Sequence, residues 1–364
     1  MKKILLVFGT RPEAIKMCPL VRELKSRKNI KTKVCVTGQH REMLDSVLRI
    51  FGIKKDYDLS VMEKSQTLAT VTNKILDGIT EVLKLEKPDA VLIHGDTTTA
   101  FSAALASFYM RIPVGHVEAG LRTYNLSAPF PEEFNRRAVS VAASYHFAPT
   151  ERAKVNLLRE GVLEKTIYVT GNTGIDALRT TVSEGYCNEE LDIASGSRLV
   201  LLTVHRRESI GEPMRKMLRA VRRAVEERQD VRVLYPAHMN PSVREIAYSE
   251  LSECERIRIT APLDVIDFHN IMARSYMILT DSGGIQEEAP YFGKPVLVLR
   301  DVTERPEGIA AGTLRLVGTS EESIYKNFSA LLDNSEEYLK MAGAKNPFGD
   351  GFASRRIANI LSDI

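Results

Sequence analysis

Three acids stand where strands are expected to end. His94-Gly95-Asp96 closes one apolar run, His116-Val117-Glu118-Ala119-Gly120-Leu121-Arg122 closes the next, and the proline-rich loop 128–133 adds Glu132. Carboxylates at the carboxyl ends of adjacent parallel strands point into the binding crevice of a doubly wound sheet, where shifted acidities and proton transfer are natural uses. Two readings compete. Clustered carboxylates also suit magnesium, and a purely structural pattern would have Asp96 capping the next helix and Glu118 paired with Arg122.

Anion-binding chemistry is written in two other places. The first apolar run leads into Gly9-Thr10-Arg11-Pro12-Glu13-Ala14-Ile15-Lys16. Thr10 with Glu13 makes a capping box and Pro12 suits a first helical turn, so a helix start with Arg11 and Lys16 nearby is available to an anionic group. A second start, Asp281-Ser282-Gly283-Gly284-Ile285-Gln286-Glu287-Glu288, follows another apolar run. Its two glycines let backbone N–H groups approach a phosphate, and Glu288 falls about 9 Å along the axis at 1.5 Å per residue, within reach of an attached sugar. Each could instead be only a well-capped helix. Val204-His205-Arg206-Arg207 adds a histidine able to exchange protons near neutral pH, flanked by two arginines. No G-x-G-x-x-G follows the first run and no P-loop motif occurs, so dinucleotide and P-loop chemistry lose their support. The other histidines lack zinc-ligand spacing, no metal site is expected, and Asp56-Tyr57-Asp58 reads as a solvated turn.

The elements that must position these residues are short apolar runs alternating with amphipathic stretches. Strands are expected at 4–8, 33–37, 90–94, 114–117, 144–148, 167–170, 199–203, 231–235, 257–260, 276–280 and 296–299. That is too many for one regular sheet. The pattern predicts an α/β chain of two Rossmann-like, doubly wound lobes facing a cleft. Periodicity is weakest from Thr181 to Ser197, where a linker is expected. The lobes then span 1–180 and 181–352, with a final helix, 353–362, able to return to the first.

The chain has 364 residues, with 50 Lys and Arg against 47 Asp and Glu, a formal charge of +3. Such a balance gives no global field for a polyanion, so neither nucleic acid nor an anionic membrane is an expected partner. Cys18, Cys35, Cys187 and Cys254 are widely spaced and read as free thiols of a reducing compartment. Lys2 and Lys3 before an apolar run imitate a signal peptide, but Arg11 and Glu13 cut the run short, and a cytoplasmic protein is expected.

The segments GTRPEAIKM (9–17), TGQHREML (37–44), VLIHGDTTTA (91–100), PVGHVEAGLRT (113–123), PEEFNRR (131–137), TGNTGIDAL (170–178), TVHRRES (203–209), LTDSGGIQEEAP (279–290) and RDVTERPE (300–307) occur in this order. Together they resemble the non-hydrolysing UDP-N-acetylglucosamine 2-epimerases over almost the whole chain. The resemblance implies a GT-B type fold, a homodimer, UDP-GlcNAc and UDP-ManNAc as substrates, and no metal or other cofactor. It implies catalytic roles for Asp96, Glu118, Glu132 and His205. By the same resemblance, Ser282, Gly283, Gly284 and Glu288 hold diphosphate and ribose, Phe268 lies near uracil, and Arg11, Lys16 and Arg305 serve the phosphates and sugar. The reaction so implied is elimination of UDP to 2-acetamidoglucal, then re-addition with the proton returned to the opposite face of carbon 2. Which carboxylate takes the proton stays open.

Some members of that family are activated by a second UDP-GlcNAc. The matching positions here are Gln39, His40, Gln66, Arg206 and His238. Glu42 stands where Gln is usual and Ser65 where Arg is usual. An added carboxylate and a missing cation imply weak or absent activation.

Overall fold

The computed structural model describes residues 1–38, 41–63 and 66–363. The chain divides into two compact units, Met1–Thr180 with Phe348–Ile364, and Thr181–Pro347.

The first unit runs β1 (Lys2–Phe8), α1 (Arg11–Lys25), β2 (Ile30–Val36), α2 (Arg41–Ile50), β3 (Tyr57–Asp58), α3 (Leu68–Glu86), β4 (Ala90–His94), α4 (Thr98–Tyr109), β5 (Val114–Val117), α5 (Glu132–Ala142), β6 (Tyr145–Ala148), α6 (Glu151–Arg159), β7 (Ile167–Val169) and α7 (Thr173–Thr181). Its parallel sheet has the order β3-β2-β1-β4-β5-β6-β7. Side chains alternate across a strand, so Ile4, Leu6 and Phe8 enter one core while Leu5 and Val7 enter the other. That two-sided burial is why β1 reads as an unbroken apolar run.

The second unit runs α8 (Glu189–Ile193), β8 (Arg198–Thr203), α9 (Glu212–Glu226), β9 (Val231–Pro236), α10 (Pro241–Leu251), β10 (Ile257–Thr260), α11 (Val265–Arg274), β11 (Met277–Thr280), α12 (Gly283–Glu288), β12 (Val296–Val298), α13 (Pro306–Ala311), β13 (Leu314–Leu316), α14 (Glu321–Asp333) and α15 (Ser335–Ala342). Its sheet, also parallel, has the order β10-β9-β8-β11-β12-β13. One core gathers the apolar stripe of α9, including Met214, Met217, Leu218, Val221 and Val225, with Phe328 and Leu331 of α14.

The last helix, α16 (Ala353–Asp363), belongs to the first unit. Its Ile357, Ala358 and Leu361 join Met17, Leu20, Val21 and Leu24 of α1 in one core. The Asp176 carboxylate caps it, accepting from Ser354 N at 2.7 Å and Ala353 N at 3.1 Å.

Three expectations need correction. Residues 348–352 go with the first unit rather than the second, because Phe348 is buried there and its carbonyl accepts from Asn172 N at 2.8 Å. The supposed linker is part of the second unit: Ser183 N donates to Asn270 Oδ1 at 3.0 Å, Thr181 Oγ1 meets His269 Nδ1 at 2.7 Å, and 189–193 forms α8. Tyr57-Asp58 is an edge strand on β2 rather than a turn. Its acidic neighbourhood faces lysines, with Asp56 on Lys33 and Asp58 on Lys55, each at 2.8 Å. Like β13, β3 is too short to carry an apolar period.

The α16 contact has a measurable consequence. Ile357→Ala leaves a cavity beneath a fully buried side chain, and urea unfolding should report a loss of about 2–4 kcal/mol. A loss within about 0.5 kcal/mol, the range of ordinary surface substitutions, would remove α16 from the core.

Candidate active site

In each sheet the chain changes direction once, between β1 and β4 in the first unit and between β8 and β11 in the second. Neighbouring connections leave such a point in opposite directions and open a crevice at the strands' carboxyl ends.

In the first unit the crevice is built around Glu13. Its carboxylate is buried and accepts from Gly9 N at 3.0 Å, Thr10 N at 2.7 Å and the Thr97 hydroxyl at 2.7 Å. Burial pushes its pKa up, against those hydrogen bonds. The capping box is present, and it also ties the start of α1 to Thr97, the N-cap of α4. Gly9 is required by close approach, since a Cβ there would lie 2.6 Å from Thr99 Oγ1 and nearer still to Thr37 Oγ1. Arg11, at the first position of α1, is half-buried and has no ion-pair partner among the described residues.

The β4–β5 register pairs His94 with Val117, which sets Gly95-Asp96 beside Glu118. Glu118 has a backbone φ of +65°, a left-handed conformation that costs a non-glycine residue about 1–3 kcal/mol and commonly marks functional positions. Its carboxylate forms an ion pair with Lys16 and accepts from Asn172 Nδ2 at 3.3 Å, with His94 Nε2 3.7 Å away. Asp96 is held by the Arg136 guanidinium, and its carbonyl accepts from Asn135 Nδ2 at 2.8 Å. Glu132 opens α5, half-buried and with no ion-pair partner among the described residues.

Neither structural pairing expected for these acids is formed. Thr97 rather than Asp96 caps α4, and Arg122 turns away to grip Glu160 at 2.8 and 2.7 Å. Lys16, expected to serve phosphates, is here paired with an acid. Asp96 and Glu118 are each matched to a cation, and among the described residues no three acidic, histidine or cysteine side chains converge as metal ligands would.

The second unit places His205 just beyond β8 and Asp281-Ser282 just beyond β11. The Asp281 carboxylate is wholly buried and accepts from His205 N at 2.9 Å and Arg206 N at 2.8 Å. The His205 side chain is 40% exposed and its ring stacks on His238, centroids 5.6 Å apart. Partial burial pushes the His205 pKa down while Asp281 pulls it up. Ser282 holds the N-cap position of α12, but no side chain caps that helix. The Arg305 guanidinium lies over Gly283, where a Cβ would come within 3.1 Å of its central carbon, and its Nε donates to Glu287 Oε1 at 2.9 Å. Glu288 lies 3.7 Å from His269 Nε2, and Phe268, half-buried, precedes that histidine on α11.

Of the positions matched to a second nucleotide-sugar site, Gln39, His40 and Ser65 lie outside the described residues, as does the Glu42 side chain. Gln66 spends both ends of its amide on its own loop, donating to Val61 O at 2.8 Å and accepting from Glu63 N at 2.9 Å. His238 is the ring against His205, and Arg206 gives its backbone N–H to Asp281.

Sequence reasoning missed four residues as parts of the site: Glu13 as a bridge, Arg136 on Asp96, Asn172 on Glu118, and Asp281 beneath His205. Each stood inside a segment already singled out, but only tertiary contact gives it a partner.

A family model described as UDP-N-acetylglucosamine 2-epimerase matches residues 22–362. The chain is 57% identical over 359 residues to the UDP-N-acetylglucosamine 2-epimerase of Bacillus subtilis, covering 99% of this chain and 94% of that one. Among solved structures, the UDP-GlcNAc 2-epimerase of Neisseria meningitidis bound to UDP-GlcNAc is 47% identical with a TM-score of 0.91, covering 100% of both chains. That of Methanocaldococcus jannaschii in complex with UDP-GlcNAc and UDP is 34% identical with a TM-score of 0.82, again covering 100% of both.

Two buried histidines near the acids make stability depend on pH. Burial first of all holds His94 down to about 4 and His116 down to about 3, from an ordinary 6.5. The unfolded chain therefore takes up these protons near pH 6.5 while the folded one does not. Their contribution is complete above pH 6.5 and is lost as pH falls, towards about 4 for His94 and about 3 for His116, with a slope of at most about 1.4 kcal/mol per pH unit for each histidine. Urea unfolding at pH 7, 6 and 5 should show that decline, and His116→Gln should lessen its slope. An unchanged slope would mean that His116 is not its source.

Proposed function

Since the chain belongs to the UDP-N-acetylglucosamine 2-epimerase family, we propose that it interconverts UDP-GlcNAc and UDP-ManNAc without hydrolysis, by elimination and re-addition of UDP. The observation that carries this reading is the division of labour between the two strand-end crevices. The first unit sets Asp96 and Glu118 on adjacent strand ends and Glu132 at the start of α5, and the second sets His205 beside an uncapped helix start with Arg305 against it.

The chemistry follows from those groups. A carboxylate of the first unit takes the proton on carbon 2, the electrons of that bond form the carbon 1–carbon 2 double bond, and the carbon 1–oxygen bond breaks with its pair leaving on UDP. UDP then adds back to carbon 1 as a proton reaches the opposite face of carbon 2. Inversion needs acids in more than one direction, and three carboxylates from two strand ends and a helix supply them. Ser282, Gly283, Gly284 and Arg305 hold the diphosphate, Glu288 the ribose, and Phe268 lies by the uracil. Arg11, without an ion pair among the described residues, and Lys16, released from Glu118, meet the substrate's anionic and polar groups.

The enzyme on this reading is a cytoplasmic homodimer supplying ManNAc units for cell-surface polysaccharide. Buried free thiols at Cys18, Cys35 and Cys254 support the compartment. Exposed Phe108, Tyr109 and Val141, beside a hollow lined by Ile112 and Ala142, support a covered apolar face.

Incubation with UDP-GlcNAc in D₂O should place deuterium at carbon 2 of both epimers, read by NMR, with no free ManNAc or accumulating UDP. Accumulation of both would make the enzyme a hydrolysing epimerase, and absence of exchange would remove the elimination. Asp96→Asn and Glu118→Gln should each lower kcat by about 10²–10⁴-fold, the range for a lost acid or base. Gly283→Ala, which displaces the Arg305 guanidinium, should weaken UDP binding by calorimetry about tenfold, as expected for one impaired charge-assisted contact. Rates against UDP-ManNAc should be hyperbolic. A sigmoidal curve made hyperbolic by trace UDP-GlcNAc would restore the activating second site.

A further inference from the structure

The Asp281 carboxylate is wholly buried, which is costly for a charge unless its oxygens find donors. Only one does. Oδ2 takes both backbone N–H groups, from His205 and Arg206, while Oδ1 is buried and makes no hydrogen bond. That second oxygen lies 3.6 Å from His205 Nδ1, too long for a hydrogen bond. The surrounding structure fixes this geometry from below. Tyr235, also wholly buried, donates its hydroxyl to Val204 O at 2.6 Å, and the Thr203 and Thr280 hydroxyls join β8 to β11 at 2.6 Å. From above, His238 stacks on the His205 ring, and its own Nδ1 accepts from Asn240 N at 3.1 Å.

We propose that Asp281 is a positioning residue for His205: one oxygen fixes the strand-end backbone, and the other receives Nδ1–H and turns Nε2 towards the departing diphosphate. This rests on the elimination reading given above. With Nδ1–H committed to a carboxylate, the ring can hold a second proton on Nε2 and donate it as a hydrogen bond to the oxygen that keeps the electrons of the broken carbon 1 bond. No proton need cross at this step, because the carbon 2 proton goes to a carboxylate of the first unit. The other charges facing the ring are Arg206 and His238, which oppose its protonation, and Glu208, which favours it. Asp281 differs from all three in being buried and unable to move away.

Asp281→Asn separates this role from a structural one. The amide oxygen can occupy the Oδ2 place and keep both backbone hydrogen bonds, while NH2 replaces the oxygen facing Nδ1 and the charge is lost. The expected results are a kcat lowered about 10–100-fold with KM for UDP-GlcNAc within about threefold, and a His205 titration moved to lower pH, followed by NMR without substrate. In a His205→Gln background the same change should cost nothing further. An unmoved titration, or equal losses in both backgrounds, would overturn the proposal. Should Asp281→Asn fail to fold, nitrogen-15 NMR of the wild-type enzyme decides, because the neutral His205 ring must carry its proton on Nδ1. A bare Nδ1 would overturn the proposal equally. The NMR measurements need no turnover, so they are independent of the D₂O exchange that tests the reaction.

Discussion

A buried carboxylate that must find donors organises both strand-end crevices. In the first unit Glu13 accepts the backbone N–H groups of Gly9 and Thr10 just past β1, and in the second Asp281 accepts those of His205 and Arg206 just past β8. Each takes two successive N–H groups on a single oxygen and reaches across the point where strand order reverses. Glu13 does so through Thr97 after β4, and Asp281 because it sits after β11. A backbone leaving a strand would otherwise have orphan donors there, and the carboxylate would be buried without partners. Meeting both needs at once fixes where Arg11, His205 and the helix starts lie.

The same economy governs the charges at the strand ends. Asp96 rests on Arg136, Glu118 on Lys16 and Arg305 on Glu287, so these charges are largely neutralised by their neighbours. On the proposed reading, a protein of net charge +3 binds a dianion through a few placed cations rather than through a global field. Arg11 and Glu132 differ in having no ion-pair partner among the described residues.

Much of this was legible in the chain. The alternating apolar runs declared two parallel sheets because strands buried on both faces cannot hide their composition, and eleven of the thirteen strands among the described residues were found. The two missed, β3 and β13, are edge strands of two and three residues with no period to read. The Thr10–Glu13 capping box was readable because helix starts are local. That Glu13 also binds Thr97 was not, because Thr97 is 84 positions away.

Residue types and their place at strand ends were therefore determined by sequence alone, since strand periodicity and capping are properties of neighbouring residues. Which acid meets which cation was decided by register and by the folding back of distant segments. Glu118 faces Lys16 and Asn172, not Arg122, because Lys16 comes from α1 and Asn172 is held in place by the carbonyl of Phe348. Asp281 reads locally as a helix cap. Only the pairing of β11 with β8 sets its carboxylate beneath His205, because hydrogen-bonding partners 76 residues apart become neighbours only once the sheet has formed.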